Sequence, residues 1–199
     1  DDPGNINHKQ TLKEHSGPVW SLAMFVKDEK KFFVSGSWNK TLKIWNGANH
    51  RCQTTIISSF IRSIQTFTID GHNYVAKCGG GKYPVEIEIW NIENIRCVKR
   101  LKGHTSNILA LLAFEMNGNK YLASGSYDRT IKIWNLSTYK CIATLTGHSG
   151  TVLSLSKFEL NGNLFLVSGS FDKTIRIWDL QKMNEAATLI GHSHWFFVL

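Results

Sequence analysis

Four tryptophans, Trp45, Trp90, Trp134 and Trp178, fall 45, 44 and 44 residues apart. A beat of that length restricts the chain to architectures in which one small unit is stacked repeatedly. His104, His148 and His192 keep an interval of 44, and His15 stands 89 before His104, two periods with one histidine missing. The step from histidine to tryptophan is 30 in three units, 15 to 45, 104 to 134 and 148 to 178. A turn phrase precedes each of those tryptophans: Ser35-Gly-Ser-Trp-Asn-Lys-Thr, Ser124-Gly-Ser-Tyr-Asp-Arg-Thr and Ser168-Gly-Ser-Phe-Asp-Lys-Thr. These markers define repeat cores at 15–46, 104–135 and 148–179, a degenerate core at 60–91, and the start of a fifth at 192–199.

Each unit reads as short strands. Ile108-Leu-Ala-Leu and Val152-Leu-Ser-Leu are apolar runs after a Gly-His turn, and Tyr121-Leu-Ala-Ser and Phe165-Leu-Val-Ser follow Asn-Gly-Asn, whose first two residues supply the positive φ of a tight hairpin. Thr174-Ile-Arg-Ile-Trp alternates with period two, the pattern of a half-buried strand, and Lys140-Cys-Ile-Ala-Thr-Leu completes the unit. Four strands in about 44 residues suit one propeller blade, so the expected fold is all-β: four-stranded antiparallel blades forming a partial, open β-propeller.

The Gly-His … Trp-Asp pattern, fullest in Gly147-His148 … Trp178-Asp179, resembles the WD-repeat β-propeller family. The other units end Trp-Asn, a mild variant, and the resemblance covers residues 8 to 199 as a single propeller segment. It implies a non-catalytic, intracellular platform, cytoplasmic or nuclear, that assembles protein complexes. A targeting propeller of a larger enzyme, of ubiquitin-ligase, ring-finger or kinase type, is the alternative. By the same resemblance, the chain holds about half of the commonest propeller. Residues 8–13 read as the outer strand of a blade otherwise absent, so the chain reads as a piece of a longer protein whose open edges favour self-association.

Aligned on tryptophan, three units carry the same polar set: His15, Ser35, Asn39, Trp45; His104, Ser124, Asp128, Trp134; and His148, Ser168, Asp172, Trp178. In the family such sets form a hydrogen-bonded network inside the blade, as a buried indole N–H and imidazole require. Asn39 keeps an acceptor but loses the charge, which predicts a weaker network in the first unit. A hydrolase triad would need one constellation oriented once, not copies at constant spacing. With no His-x3-His and no CxxC, a metal site is not expected either, nor any cofactor.

The second unit departs from the pattern. Counting back from Trp90 puts Phe60, Gly80 and Pro84 at the histidine, serine and aspartate positions, and Gly79-Gly80-Gly81 in the second strand, which predicts a glycine-softened blade. Cys52, Cys97 and Cys141 each lie seven residues after a repeat tryptophan, on the outermost strand, where a small apolar residue packs. Cys78 is out of phase with them. Four scattered cysteines do not make a disulfide scaffold and favour a reducing compartment.

The resemblance also implies where a partner sits: on the narrow top face, at the residue before the turn aspartate and at two residues flanking the start of the first strand. The pre-aspartate positions are Trp38, Tyr83, Tyr127 and Phe171, all aromatic, and the strand-start positions include Trp20, Leu109 and Leu153, with Ser63 and Gln65 in the second unit. Exposed aromatics are the residue type enriched at interface hot spots. Lys40, Lys82, Arg129 and Lys173 flank them, a cationic rim that suits a peptide or loop, acidic or phosphorylated. The formal charge of +8 is scattered, with no basic block, which leaves nucleic acid an unlikely partner beside protein; no apolar run is long enough to cross a membrane.

Overall fold

The computed structural model describes residues 11–79 and 85–191. These hold sixteen strands, paired in chain order into four four-stranded antiparallel sheets. The first blade comprises β1 (Val19–Lys27), β2 (Lys30–Ser37), β3 (Thr41–Asn46) and β4 (Cys52–Ile57). The second comprises β5 (Ser63–Ile69), β6 (His72–Cys78), β7 (Glu86–Asn91) and β8 (Arg96–Lys102). The third comprises β9 (Ile108–Met116), β10 (Asn119–Ser126), β11 (Ile131–Asn135) and β12 (Lys140–Leu145). The fourth comprises β13 (Val152–Leu160), β14 (Asn163–Ser170), β15 (Thr174–Asp179) and β16 (Asn184–Ile190).

Local chemistry sets these hairpins. Asp70-Gly71, Asn117-Gly118 and Asn161-Gly162 have φ of 49 and 76°, 52 and 70°, and 51 and 73°. Positive φ at both central residues makes a type I′ turn, whose twist matches that of the flanking strands. Asp28-Glu29 makes the same turn at 48 and 60° without a glycine. Beside every one of these turns an aromatic pair stacks across the strands: Phe25–Phe32, Phe67–Tyr74, Phe114–Tyr121 and Phe158–Phe165, with centroids 5.1 to 5.6 Å apart. Such pairs are worth about 0.5–1.5 kcal/mol beyond their buried area. At the turn after the third strand of each blade, the Oδ1 of Asn46, Asn91, Asn135 or Asp179 accepts backbone N–H groups two and three residues on. Asparagine serves as well as aspartate there because only that oxygen is used.

The blades pack face to face through three apolar cores. One joins Val34, Leu42 and Ile44 of the first blade to Ile61, Ile64 and Val75 of the second. Another joins Ile87, Ile89 and Cys78 to Ile108, Leu111 and Leu122, and a third joins Ala123, Ile131 and Ile133 to Val152 and Leu166. Gly36 and Gly125 make this contact possible: a Cβ would meet Ile61 Cγ2 at 2.4 Å and Val152 Cγ1 at 2.6 Å.

Two expectations need correcting here. Thr11 to Lys13 are irregular and belong to none of the four sheets; the remainder of that proposed outer strand falls outside the described residues. The fifth start, 192–199, lies outside them as well. Gly79 does not fall in the second strand, since β6 ends at Cys78, and Gly80 and Gly81 lie outside the described residues. Gly79 is required by close approach, as a Cβ there would stand 1.7 Å from the Phe60 carbonyl oxygen.

Candidate functional site

The polar set forms one continuous chain in the third and fourth blades. Trp134 Nε1–H donates to Ser124 Oγ at 2.8 Å, Ser124 Oγ meets His104 Nε2 at 2.7 Å, and His104 Nδ1 meets Asp128 Oδ2 at 2.7 Å. Trp178, Ser168, His148 and Asp172 repeat it at 2.8, 2.7 and 2.8 Å. Burial pushes both imidazoles below their ordinary value, outweighing the neighbouring carboxylates. A neutral imidazole fixes the direction: Ser O–H donates to Nε2, and Nδ1–H donates to the carboxylate. Burial alone would raise the aspartates. Hydrogen bonds, led by those from Thr130 and Thr174, outweigh it and hold them below the usual carboxylate range. Each serine hydroxyl is fully occupied and buried, which suits an internal brace and not a nucleophile.

In the first blade the chain is rerouted. Trp45 Nε1 and His15 Nε2 still meet Ser35 Oγ at 2.8 and 2.6 Å. His15 Nδ1, however, meets Thr41 Oγ1 at 3.0 Å, and Asn39 Oδ1 is taken by the Thr41 N–H and O–H.

The second blade overturns the alignment counted from Trp90. Ser35, Ser124 and Ser168 pair with Lys43, Lys132 and Arg176, the residue two before each tryptophan; in the second blade that residue, Glu88, pairs with Lys77. The serine position is therefore Lys77, not Gly80. Lys77 is 2% exposed, its Nζ lies 3.1 Å from Glu88 Oε2 and donates to Ser59 Oγ at 3.4 Å, and Trp90 Nε1–H donates to Glu88 Oε2 at 2.8 Å. Ser59 thus stands where the histidine was sought at Phe60. Burial would raise the Glu88 carboxyl, but Lys77, the Trp90 indole and Arg100 hold it down. An ion pair replaces the serine–histidine–aspartate chain. Cys78 is not on an outer strand with the other cysteines: it takes the place of Gly36, Gly125 and Gly169, opposite Ser63, and burial pushes its thiol up to about 12. Gly80 and Pro84 lie outside the described residues.

The same shift changes the second blade's share of the top face. Its strand-start residues are Phe60 and Arg62, not Ser63 and Gln65. Ser63 Oγ instead accepts the Leu111 N–H at 3.2 Å, part of the blade-to-blade contact. In the other blades the turn after the second strand folds onto the approach to the first: the N–H groups of Trp38, Tyr127 and Phe171 donate to the carbonyls of Pro18, Asn107 and Thr151 at 2.9 to 3.0 Å. These residues converge on a cavity of about 420 Å3. The first blade gives it Trp20 and Trp38, and the second Phe60, Ile61 and Arg62. The third gives Asn107, Leu109 and Tyr127, and the fourth Leu153 and Phe171. Trp20, Trp38 and Tyr127 are about half exposed, and Leu153 is buried at its edge. Trp38 packs between Trp20 at 6.2 Å and Phe60 at 4.7 Å. Lys40, Arg129 and Lys173 stand exposed in the turns with φ of 66, 69 and 67°, and Tyr83 and Lys82 lie outside the described residues.

Residues 6–46, 95–135 and 139–179 match the family described as WD domain, G-beta repeat. The chain belongs to the WD-repeat family. Its members are in general non-catalytic interaction modules. Over 111 residues, half of its length, this WD-repeat chain is 32% identical to "Probable coatomer subunit beta'" of Schizosaccharomyces pombe. Over 122 residues, 61% of its length, it is 26% identical to "Autophagy-related protein 16" of Arabidopsis thaliana. The matched stretches span 12% and 22% of those two proteins. The family match omits residues 47–94, which include the second blade's first three strands with the ion pair and, just before them, Arg62.

Among the described residues no group of His, Cys, Asp and Glu is placed to hold a metal, and no helix is long and apolar enough to cross a membrane. Cys52, Cys97 and Cys141 sit opposite Trp45, Trp90 and Trp134 on the outer strands, where Glu185 faces Trp178. They are half-buried or exposed and their thiols lean toward backbone carbonyls two residues on, so they fill an edge and not a core.

Proposed function

We propose that this chain is a protein-interaction scaffold that holds a peptide or loop of its partner in the aromatic cavity on the top face, in an intracellular setting, cytoplasmic or nuclear. The observation that carries the reading is the cavity itself. All four blades contribute to it, and its polar-to-apolar balance is that of a recognition pocket: predominantly aromatic and aliphatic, with few polar groups. Nothing in the blade frame needs Trp20, Trp38 and Tyr127 half exposed, since the buried tryptophans already brace the blades. Large rings held in solvent by rigid strand ends cost little entropy on binding and are the usual anchors of an interface. Four free cysteines suit a reducing compartment. One relative is named as a coatomer subunit, a protein that works within an assembly, which fits a scaffold.

The test is alanine substitution at Trp20, Trp38, Tyr127 and Phe171, read against a partner captured with the chain as bait. Each change should cost about 1–4 kcal/mol of affinity while the melting temperature holds. A partner indifferent to all four would place the interface on the rim or the underside. Affinity that collapses between low and high salt, with no effect of the rings, would indicate nucleic acid instead.

A further inference from the structure

We infer that the second blade's corner of the cavity, where the Arg62 guanidinium lies over Trp20, takes a carboxylate side chain of the bound segment, one flanked by a large apolar residue. This rests on the cavity being the interface proposed above and says which chemistry it selects. Among the described residues, Arg62 is the one charged residue lining the cavity. Its guanidinium sits 4.1 Å from the Trp20 ring centroid and, among the described residues, forms no ion pair. Stacking on a ring leaves the planar edge of a guanidinium free, and that edge presents parallel N–H donors matched to a carboxylate. Leu109, Tyr127 and Phe171 line the same cavity, so an apolar neighbour of the carboxylate has a surface to cover.

The geometry also separates this ligand from two others. An ammonium or methylated lysine needs open ring faces. Here Trp20 already carries Arg62, Phe60 carries Lys40 Nζ at 5.0 Å, and Trp38 is packed between the two rings. A second cation on these faces would meet the first. A phosphate is usually held by a cluster of arginines, whereas among the described residues one guanidinium lines this cavity. Arg62 reaches the site because residues 59 and 60 join the end of the first blade to the cavity two residues sooner than His104 and Asn107 do in the third.

Short, terminally blocked random peptides displayed against the chain supply the probe. Selected sequences should pair Asp or Glu with an adjacent large apolar residue. For the best binder, changing its Glu to Gln on the unaltered protein should weaken binding roughly 10- to 100-fold. Arg62→Gln should cause a similar loss for the acidic peptide and almost none for the amide. Trp38→Ala should weaken both. A phosphoserine version that binds tenfold more tightly than the carboxylate, or enrichment of Lys and Arg, overturns the assignment. Peptides that respond to Trp38→Ala but ignore both the Glu-to-Gln change and Arg62→Gln overturn the carboxylate site and leave the cavity as the interface. Failure to select any peptide sensitive to Trp38→Ala overturns both. The peptide-side change reads the contact without altering the fold, so a destabilised Arg62 variant leaves the result clear.

Discussion

Asn39 and Asp128 occupy the same turn in different blades, and the difference between amide and carboxylate decides where the histidine proton goes. Asp128 receives His104 Nδ1–H directly and the Thr105 N–H at 3.0 Å, whereas Asn39 spends its amide N–H on Ser16 Oγ at 3.2 Å and leaves His15 to Thr41. Asn39→Asp should therefore complete the first blade's chain and raise stability by about 1 kcal/mol, measurable as a shift in the urea midpoint. The same residues set the response to acid. His15, His104 and His148 lie below their ordinary 6.5 in the folded chain, chiefly through burial, so the unfolded chain takes up more protons near that pH. Stability is full above pH 6.5 and falls as the pH drops. Asp128 and Asp172, held below their ordinary 3.8, add a second loss below about pH 4. Melting temperature across pH 4 to 8 should show the first decline while every carboxylate network is still ionised. A flat profile between pH 7 and 5 would mean that the histidines are not buried neutral braces.

At the scale of the element, the second blade shows what periodicity conveys and what it hides. The tryptophan beat, the Asn-Gly hairpins and the alternation in β3, β7, β11 and β15 carry the architecture directly in sequence, because each reports a local constraint. The second blade's interior does not follow, because two length changes nearly cancel. Lys77 stands 13 residues before Trp90, where Ser35, Ser124 and Ser168 stand 10 before their tryptophans, while the lead-in at Ser59 is two shorter. The only trace is a first interval of 45 against 44 and 44. Counting from one anchor therefore misplaces the residues upstream of the insertion and puts Ser63 and Gln65 where Phe60 and Arg62 stand. The aromatic pairs beside the hairpins were legible, as rings seven apart in all four units, but were not read as a pattern. The ion pair that occupies this blade has its own test. Lys77→Ala should cost about 3 kcal/mol, because it removes the buried cation beside Glu88 and leaves that carboxylate only the half-exposed Arg100. The double change Lys77→Ala with Glu88→Ala should cost clearly less than the sum of the singles, a coupling that chemical denaturation reads directly. Additive losses would show that Lys77 contributes by packing its stem and not by its charge.

For the whole molecule, the blades are not equally covered. Ile64 and Leu111 occupy the position that pairs with the network residue and are 0% and 4% exposed, each sealed by the blade before it. Leu22 holds that position in the first blade and is 72% exposed, and Met24, Val26 and Phe33 beside it are exposed too. At the other end Leu160, Leu189 and Ile190 are exposed on the fourth blade. An apolar strand face of this kind is of the same make as the three cores that join the blades, and large contiguous apolar patches seldom stay bare in water. The isolated chain should accordingly self-associate, most simply by seating one copy's first blade on another's exposed face, in a contact that resembles a slice of domain core. Sedimentation across micromolar concentrations should show dimers or larger species. Leu22→Lys combined with Met24→Lys should return the sample toward monomer without lowering the melting temperature, since neither side chain takes part in a blade-to-blade core. The pairing is separable from partner recognition, because the charged face leaves Trp38 and Arg62 untouched. A chain that sediments as a monomer and melts in one cooperative step would mean that the first blade's apolar face is covered within the molecule itself.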